Sequence, residues 1–470
     1  MADIGFTSPC SEDLVIDPEL LSRFDKPGPR YTSYPTADRF VEAFDETAVR
    51  GALEKSRRER GGQPVSLYLH LPFCASICYY CACNKIITRK RGRATEYVGY
   101  LRREMAMLAQ QAGQRLSVDQ LHWGGGTPTF HSADEMVAIM AATREFFDLG
   151  PDGEYSIEID PRSVKPETMQ VLAGIGFNRI SMGVQDFDHD VQQAVNRIQS
   201  VEQTELVVSE ARRRGFKSVS FDLIYGLPRQ NPAGFAQTLQ HVLRMAPDRI
   251  ALYGYAHLPG VFKPQRRIAV AQLPTASERV ALMVLAISTL TAAGYTYIGM
   301  DHFAKPDDEL ARARLQGRLH RNFQGYSTRA NCDLIGLGVS AISSIGATYS
   351  QNFRELPDYY DRVSRGMLPV MRGIALTADD LARRTVIQAL MCHFEFCISS
   401  IEIACMLDFR RYFAAELTDL AEFERLGLVE IEADAIIVTA RGRLLVRPIC
   451  MVFDRYLRAA QQRARYSQVV

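Results

Sequence analysis

The stretch SLYLHLPFCASICYYCAC, residues 66–83, carries the decision about this chain. It begins as a β-rich run, SLYLHLPF, and passes directly into a loop holding Cys74, Cys78, Cys81 and Cys83, four of the ten cysteines. A metal site, a disulfide knot and a redox centre would each use such a loop differently. The opening residues MADIGFTSPCSEDLVIDPE are acidic and lack the basic and apolar segments of an export signal. A reducing, cytoplasmic setting is therefore expected, which favours metal or redox chemistry over disulfides. No run of eighteen apolar residues is present, so no membrane span is expected. A net charge of +1 gives no reason to expect a nucleic-acid or anionic-membrane partner.

Outward from that loop the chain keeps a rhythm. Short β-rich runs recur at SLYLH (66–70), DQLHW (119–123), YSIEI (155–159), RISMGV (179–184), SVSFDLI (218–224) and RIALYGY (249–255), with a weaker one at YTYIGM (295–300). Helical stretches lie between them. In one, Tyr97, Leu101, Met105 and Leu108 recur at helical spacing; in another, Thr275 and Glu278 form a capping box and Gly294 ends the run. Alternation of this kind predicts an α/β fold with a parallel sheet, open or barrel-like, of six strand–helix steps. At 470 residues the chain has room for a second unit. Residues 1–60, with FDKPGPRYTSYPTADRF, read as an N-terminal arm, 61–365 as the barrel, and 366–470 as a smaller, mainly helical, winged-helix-like domain with a short hairpin in GLVEIEADAIIVTARGRLLV. Near-neutral charge favours packing over DNA binding for that last unit.

Parallel sheets place their chemistry at the carboxyl ends of the strands. There the second strand delivers Gly124, Gly125 and Gly126, a place where backbone can approach a ligand. Strands three and five alternate, so that Glu158 and Asp222 face the lumen and need a partner, either a basic side chain or a polar ligand. Gln185 and Arg197 follow strand four; Tyr255, Ala256 and His257 follow strand six. The C-x3-C-x2-C spacing of Cys74, Cys78 and Cys81 suits three corners of an iron–sulfur cubane, whose full ligation takes four thiolates. Zinc is the alternative on spacing alone, although structural zinc sites usually take two separated pairs.

The cysteine spacing, with Tyr80 just before Cys81, resembles the signature of radical S-adenosylmethionine enzymes. Longer stretches sharpen the likeness: GPRYTSYPTA (28–37), CNKIITR (83–89), LHWGGGTPT (121–129), SMGVQDF (181–187), FDLIYGLP (221–228), YAHLP (255–259), GMDHFA (299–304) and HRNFQGYST (320–328) resemble the oxygen-independent coproporphyrinogen III oxidase family. The resemblance implies a partial (β/α)6 barrel and one [4Fe–4S] cluster held by Cys74, Cys78 and Cys81, with Cys83 outside the ligand set. It implies a first S-adenosylmethionine at Tyr68, Gly125, Glu158 and Ile342, and a second at Tyr80, Gly126, Thr127, Gln185, Arg197, Asp222, Ala256, Phe323 and Gln324. The expected reaction is oxidative decarboxylation of two propionates of coproporphyrinogen III to the vinyls of protoporphyrinogen IX, in haem synthesis. The expected partners are a low-potential electron donor such as a flavodoxin or ferredoxin, and the expected state is a monomer. A haem chaperone of the same superfamily, without decarboxylase activity, is the alternative.

Overall fold

The structure is a computed structural model that describes residues 14–459 except residue 331, together with residues 466 and 468. Val65–Leu71 forms β1, a strand buried on both faces except at Tyr68. The cysteine loop follows, pinned by two short strands, β2 (Phe73–Cys74) and β3 (Ile86–Ile87). The rhythm then continues through β4 (Leu116–Gly125), β5 (Phe147–Ile159), β6 (Arg179–Gln185), β7 (Ser218–Tyr225) and β8 (Arg249–Gly254). These five and β1 pair in parallel, in chain order. The six predicted strands and their curved α/β sheet are thus present.

The sheet is larger than the sequence reading allowed. YTYIGM does form a strand, β9 (Thr296–Gly299), but it runs antiparallel to β10 (His302–Ala304), which lies antiparallel on β8. A small hairpin, β11 (His320–Asn322) and β12 (Gly325–Ser327), follows. Then β13 (Asp333–Leu337) lies parallel against the free edge of β1. It is extended by β14 (Ile342–Ile345), β15 (Thr348–Asn352) and β16 (Val370–Ala375), all antiparallel, into a twelve-stranded sheet.

Alternation decides which side chains line the lumen. In β5, Tyr155, Ile157 and Ile159 are buried under the helices, whereas Ser156 and Glu158 line an internal cavity of about 170 Å³. In β7, Val219, Phe221 and Leu223 are buried and Ser220 and Asp222 enter the same cavity. The helix Gly92–Ala112 covers β1 with Tyr97, Leu101, Met105 and Leu108, all buried, and Ala276–Ala292 begins at the expected capping box.

The arm contains a regular helix, Glu46–Arg60, capped by Asp45 and docked through Val49 and Leu53. Toward the C-terminus, Val446–Val452 ends before Asp454, whose carboxylate accepts the amides of Tyr456 and Leu457 and starts Arg455–Ala459. Beyond β16 come the helices Ala378–His393 and Ala414–Arg425 and a small sheet, β17 (Glu395–Cys397), β18 (Val429–Ile431) and β19 (Ala435–Val438). The cysteines among the described residues are free; Cys10 lies outside them.

Candidate active site

The cysteine loop leaves β1 at the carboxyl rim of the parallel strands. Backbone bonds hold it there: Ile86 N donates to Pro72 O at 2.7 Å and Thr88 N to Cys74 O at 3.0 Å. His70, the last polar side chain of β1, takes Tyr68 Oη at 3.1 Å on one ring nitrogen and lies 2.9 Å from Asn84 O on the other. Strand and loop are thereby tied through one imidazole. Gly125 sits directly against that ring, with φ +112° and a virtual Cβ 2.5 Å from His70. Gly126 is as tightly placed, its virtual Cβ 2.5 Å from the Pro72 carbonyl oxygen.

The cysteine sulfurs are surrounded by donors. Thr127 Oγ1 lies 3.4 Å from Cys74 Sγ. Arg197 reaches Cys78 Sγ at 3.6 Å, and Arg162 reaches it at 3.8 Å. A hydrogen bond from the Cys83 thiol holds Cys81 down at about 6 against its burial, while burial pushes Cys74 up to about 11. Cys83 thus touches Cys81 directly. Among the described residues, no three of His, Cys, Asp or Glu converge tightly enough to close on a single metal ion. Hydroxyl and guanidinium donors aimed at the sulfurs of Cys74 and Cys78 suit a thiolate-held, multi-iron cluster.

Behind the loop the lumen carboxylates differ in character. Glu158 takes the Gly125 amide at 3.1 Å and His122 Nε2 at 3.3 Å; burial raises its carboxyl, but these contacts outweigh that and hold it below the usual range. The His122 ring also stacks on Tyr68, centroids 5.8 Å apart. Asp222 is pushed up to about 7, by burial first and then by the charge of Glu158. Its hydroxyl partner is Ser181, at 3.4 Å, and among the described residues it makes no ion pair. The salt bridge that could have explained this carboxylate is absent there.

Arg197 lies just past the helix His189–Ala194, not on it. Its Nη1 donates to Asp160 at 3.2 Å and its Nη2 to Gly183 O at 2.6 Å. Asp160 also takes Arg162 at 2.6 Å, so two guanidiniums share one carboxylate beside Cys78. Gln185 closes β6 with φ +66°, its amide against Gly183. Tyr80 and Ala256 are joined through Gln265, whose amide donates to both carbonyls, at 3.1 and 3.0 Å. Ile342 opens β14, its carbonyl against Gly336, the neighbour of Tyr68 in register. Phe323 and Gln324 share one turn but part company: Gln324 lines the lumen, and Phe323 packs edge-on against Tyr349, centroids 5.6 Å apart.

Asp160, Arg162, His70 and Gln265 were not singled out as site residues from the sequence. Asp160 had a usable signal, since it continues the polar face of β5. The others had none: Arg162 and Gln265 belong to the site through their reach to Cys78 and Tyr80, 84 and 185 residues away, and nothing local set His70 apart from other strand residues.

A parallel sheet whose rim carries a three-thiol loop and lumen carboxylates defines a radical S-adenosylmethionine enzyme, and the model of the Radical SAM superfamily matches residues 68–242. The model of the HemN C-terminal domain matches residues 376–445. The chain belongs to the oxygen-independent coproporphyrinogen III oxidase family. It is 50% identical over 456 residues to the oxygen-independent coproporphyrinogen III oxidase of Pseudomonas aeruginosa, covering 97% of this chain and 98% of that one. The enzyme of the same name from Escherichia coli is 47% identical over 454 residues, with 97% and 98% covered. A solved structure titled "Coproporphyrinogen III oxidase (HemN) from Escherichia coli is a Radical SAM enzyme" superposes with a TM-score of 0.90 at 46% identity, over 94% of this chain and all of that one.

Proposed function

We propose that this enzyme converts two propionate side chains of coproporphyrinogen III to vinyl groups, giving protoporphyrinogen IX. Each conversion removes one hydrogen atom and CO2, passes one electron to an external one-electron acceptor, and consumes one S-adenosylmethionine, which leaves as methionine and 5′-deoxyadenosine. The [4Fe–4S] cluster and S-adenosylmethionine supply the one-electron reduction and the hydrogen-atom abstraction. Cys74, Cys78 and Cys81 hold the cluster and leave one iron without a protein ligand. Tyr68, Gly125, Glu158 and Ile342 hold the first S-adenosylmethionine. Tyr80, Gly126, Thr127, Gln185, Arg197, Asp222, Ala256, Phe323 and Gln324 surround a second.

The observation that carries this reading is Asp222: a lumen carboxylate on the wall it shares with Glu158, pushed up to about 7 by burial, without an ion-pair partner among the described residues. A cationic or hydroxyl-bearing ligand completes it. The protein's other contributions are position and dryness. Glu158, fixed by His122 and Gly125, orients ligand groups against β4, and the arm closes the lumen. In this reading residues 61–365 form the catalytic unit, the arm up to residue 60 its cover, and 366–470 a packing domain. A monomeric, cytoplasmic enzyme fed by a flavodoxin or ferredoxin completes the proposal.

The test is anaerobic reconstitution with iron and sulfide, followed by a strong reductant, S-adenosylmethionine and coproporphyrinogen III. Protoporphyrinogen IX and 5′-deoxyadenosine should accumulate in a ratio of about one to two. Cleavage of S-adenosylmethionine without decarboxylation would sink the proposal in favour of a chaperone.

A further inference from the structure

The hairpin β11–β12 carries a buried cation with no anion. Arg321 is 2% exposed, yet among the described residues its guanidinium makes no ion pair, and its Nη1 has no hydrogen-bond partner. Its Nε reaches the Arg30 carbonyl at 3.4 Å, and its guanidinium lies 4.7 Å over the ring of Tyr326, a wall of the lumen cavity. A buried, unpaired cation is costly unless something neutralises it.

The neighbours sharpen the requirement. Gln324 Nε2 and His302 Nδ1 are also buried and without partners, and both residues line the same cavity. The His302 ring stands edge-on to Tyr326, centroids 5.2 Å apart. Arg30 covers this end from the arm, its guanidinium 5.1 Å over Tyr253 and paired with Asp301. Asp301 is therefore engaged by Arg30, and burial together with the charges of Arg447 and Arg321 pulls Arg30 down to about 10. Two orphaned nitrogens, on Gln324 and His302, lie on the cavity wall, and a third, on Arg321, lies against Tyr326 of that wall. An anion with two oxygens, small enough to enter between the hairpin and the arm, satisfies all of these.

Resting on the substrate proposed above, we infer that Arg321, with Gln324 and His302 beside it, forms a binding site for one propionate carboxylate of the tetrapyrrole. The guanidinium takes the carboxylate in bidentate fashion. The site fixes the macrocycle against β11–β12, on the side of the lumen roofed by Arg30.

The experiment uses the reconstituted holoenzyme and two probes: coproporphyrin III, which has the same four propionates, and its tetramethyl ester, which has no free carboxylate. Affinity is read by fluorescence quenching for the parent enzyme, Arg321→Gln and Arg321→Lys, with cluster absorbance recorded for each. The parent should prefer the acid to the ester by tenfold or more. Arg321→Gln should lose tenfold or more for the acid with the ester unchanged, and Arg321→Lys, which keeps charge but not the fork, should fall between. Equal acid binding by parent and variants would overturn the carboxylate site alone, and so would equal weakening of acid and ester, the mark of a mere brace for the arm. Should Arg321→Gln fail to fold, the acid-to-ester ratio of Arg321→Lys decides: a parental ratio overturns the site. A parent enzyme that binds neither probe overturns the substrate proposal together with the site.

Discussion

Cys83 touches Cys81 through a hydrogen bond but holds no iron in the proposed ligand set, so the four cysteines should behave unequally on substitution. Replacing Cys74, Cys78 or Cys81 by Ser should abolish the cluster, whereas Cys83→Ser should retain it; iron and sulfide analysis with absorbance at visible wavelengths checks both. Gly125→Ala would place a methyl where the His70 ring is, in a backbone conformation that disfavours alanine. Displacing His70 loosens Asn84 and the loop after it, so S-adenosylmethionine cleavage should fall at least tenfold, measured as 5′-deoxyadenosine formed. Asp222 yields a pH effect of definite sign. Its proton leaves near 7 in the folded chain against 3.8 for an ordinary Asp, so the folded state holds more protons between those values. Stability is lost as pH rises through that window and levels off above it. In cofactor-free protein, Asp222→Asn should raise the denaturation midpoint at pH 8 and change it little near pH 4; the same shift at both would refute the assignment. Glu158, Asp222 and the cysteines were legible in the sequence because strand alternation and loop spacing are local. The orphaned nitrogen of Arg321 was not, since only folding shows that no carboxylate reaches it.

The six parallel strands were likewise legible, each announced by a short β-rich run between helical stretches. The other half of the sheet was not. In β14 and β15, Ser343, Ser344, Ser350 and Gln351 stand where an apolar face would normally announce a strand, and pairing is set by neighbours far along the chain. This half is bolted to the helix Gly92–Ala112 through Glu104, which accepts Gly338 N, Asn352 Nδ2 and Tyr359 Oη, each at 2.7 Å. Burial pushes that carboxyl to about 7 even so. Glu104→Ala leaves those donors unsatisfied and should cost roughly 1–3 kcal/mol, read from denaturant unfolding. Glu104→Gln keeps an acceptor and should cost less than Glu104→Ala, by the same measurement.

Over the whole molecule, arm and C-terminal domain close one side of the sheet together. Tyr31 Oη donates to Asp454 at 3.0 Å, Tyr34 Oη accepts the Arg455 amide at 3.2 Å, and Arg447 donates to the carbonyls of Gly28 and Pro29. A ligand held in the enclosed lumen stabilises the folded state by mass action, about 2.7 kcal/mol at a hundred times its Kd. S-adenosylmethionine should therefore raise the melting temperature of the reconstituted enzyme, read by calorimetry, and should do so far less in Cys81→Ser. The stitching also sets an order of events during synthesis. Asp454 leaves the ribosome 423 residues after Tyr31, so the growing chain displays its cysteine loop long before the roof can be fastened. A chain so stitched leaves the carboxyl rim of its parallel strands uncovered until the residues that fasten the roof have been made.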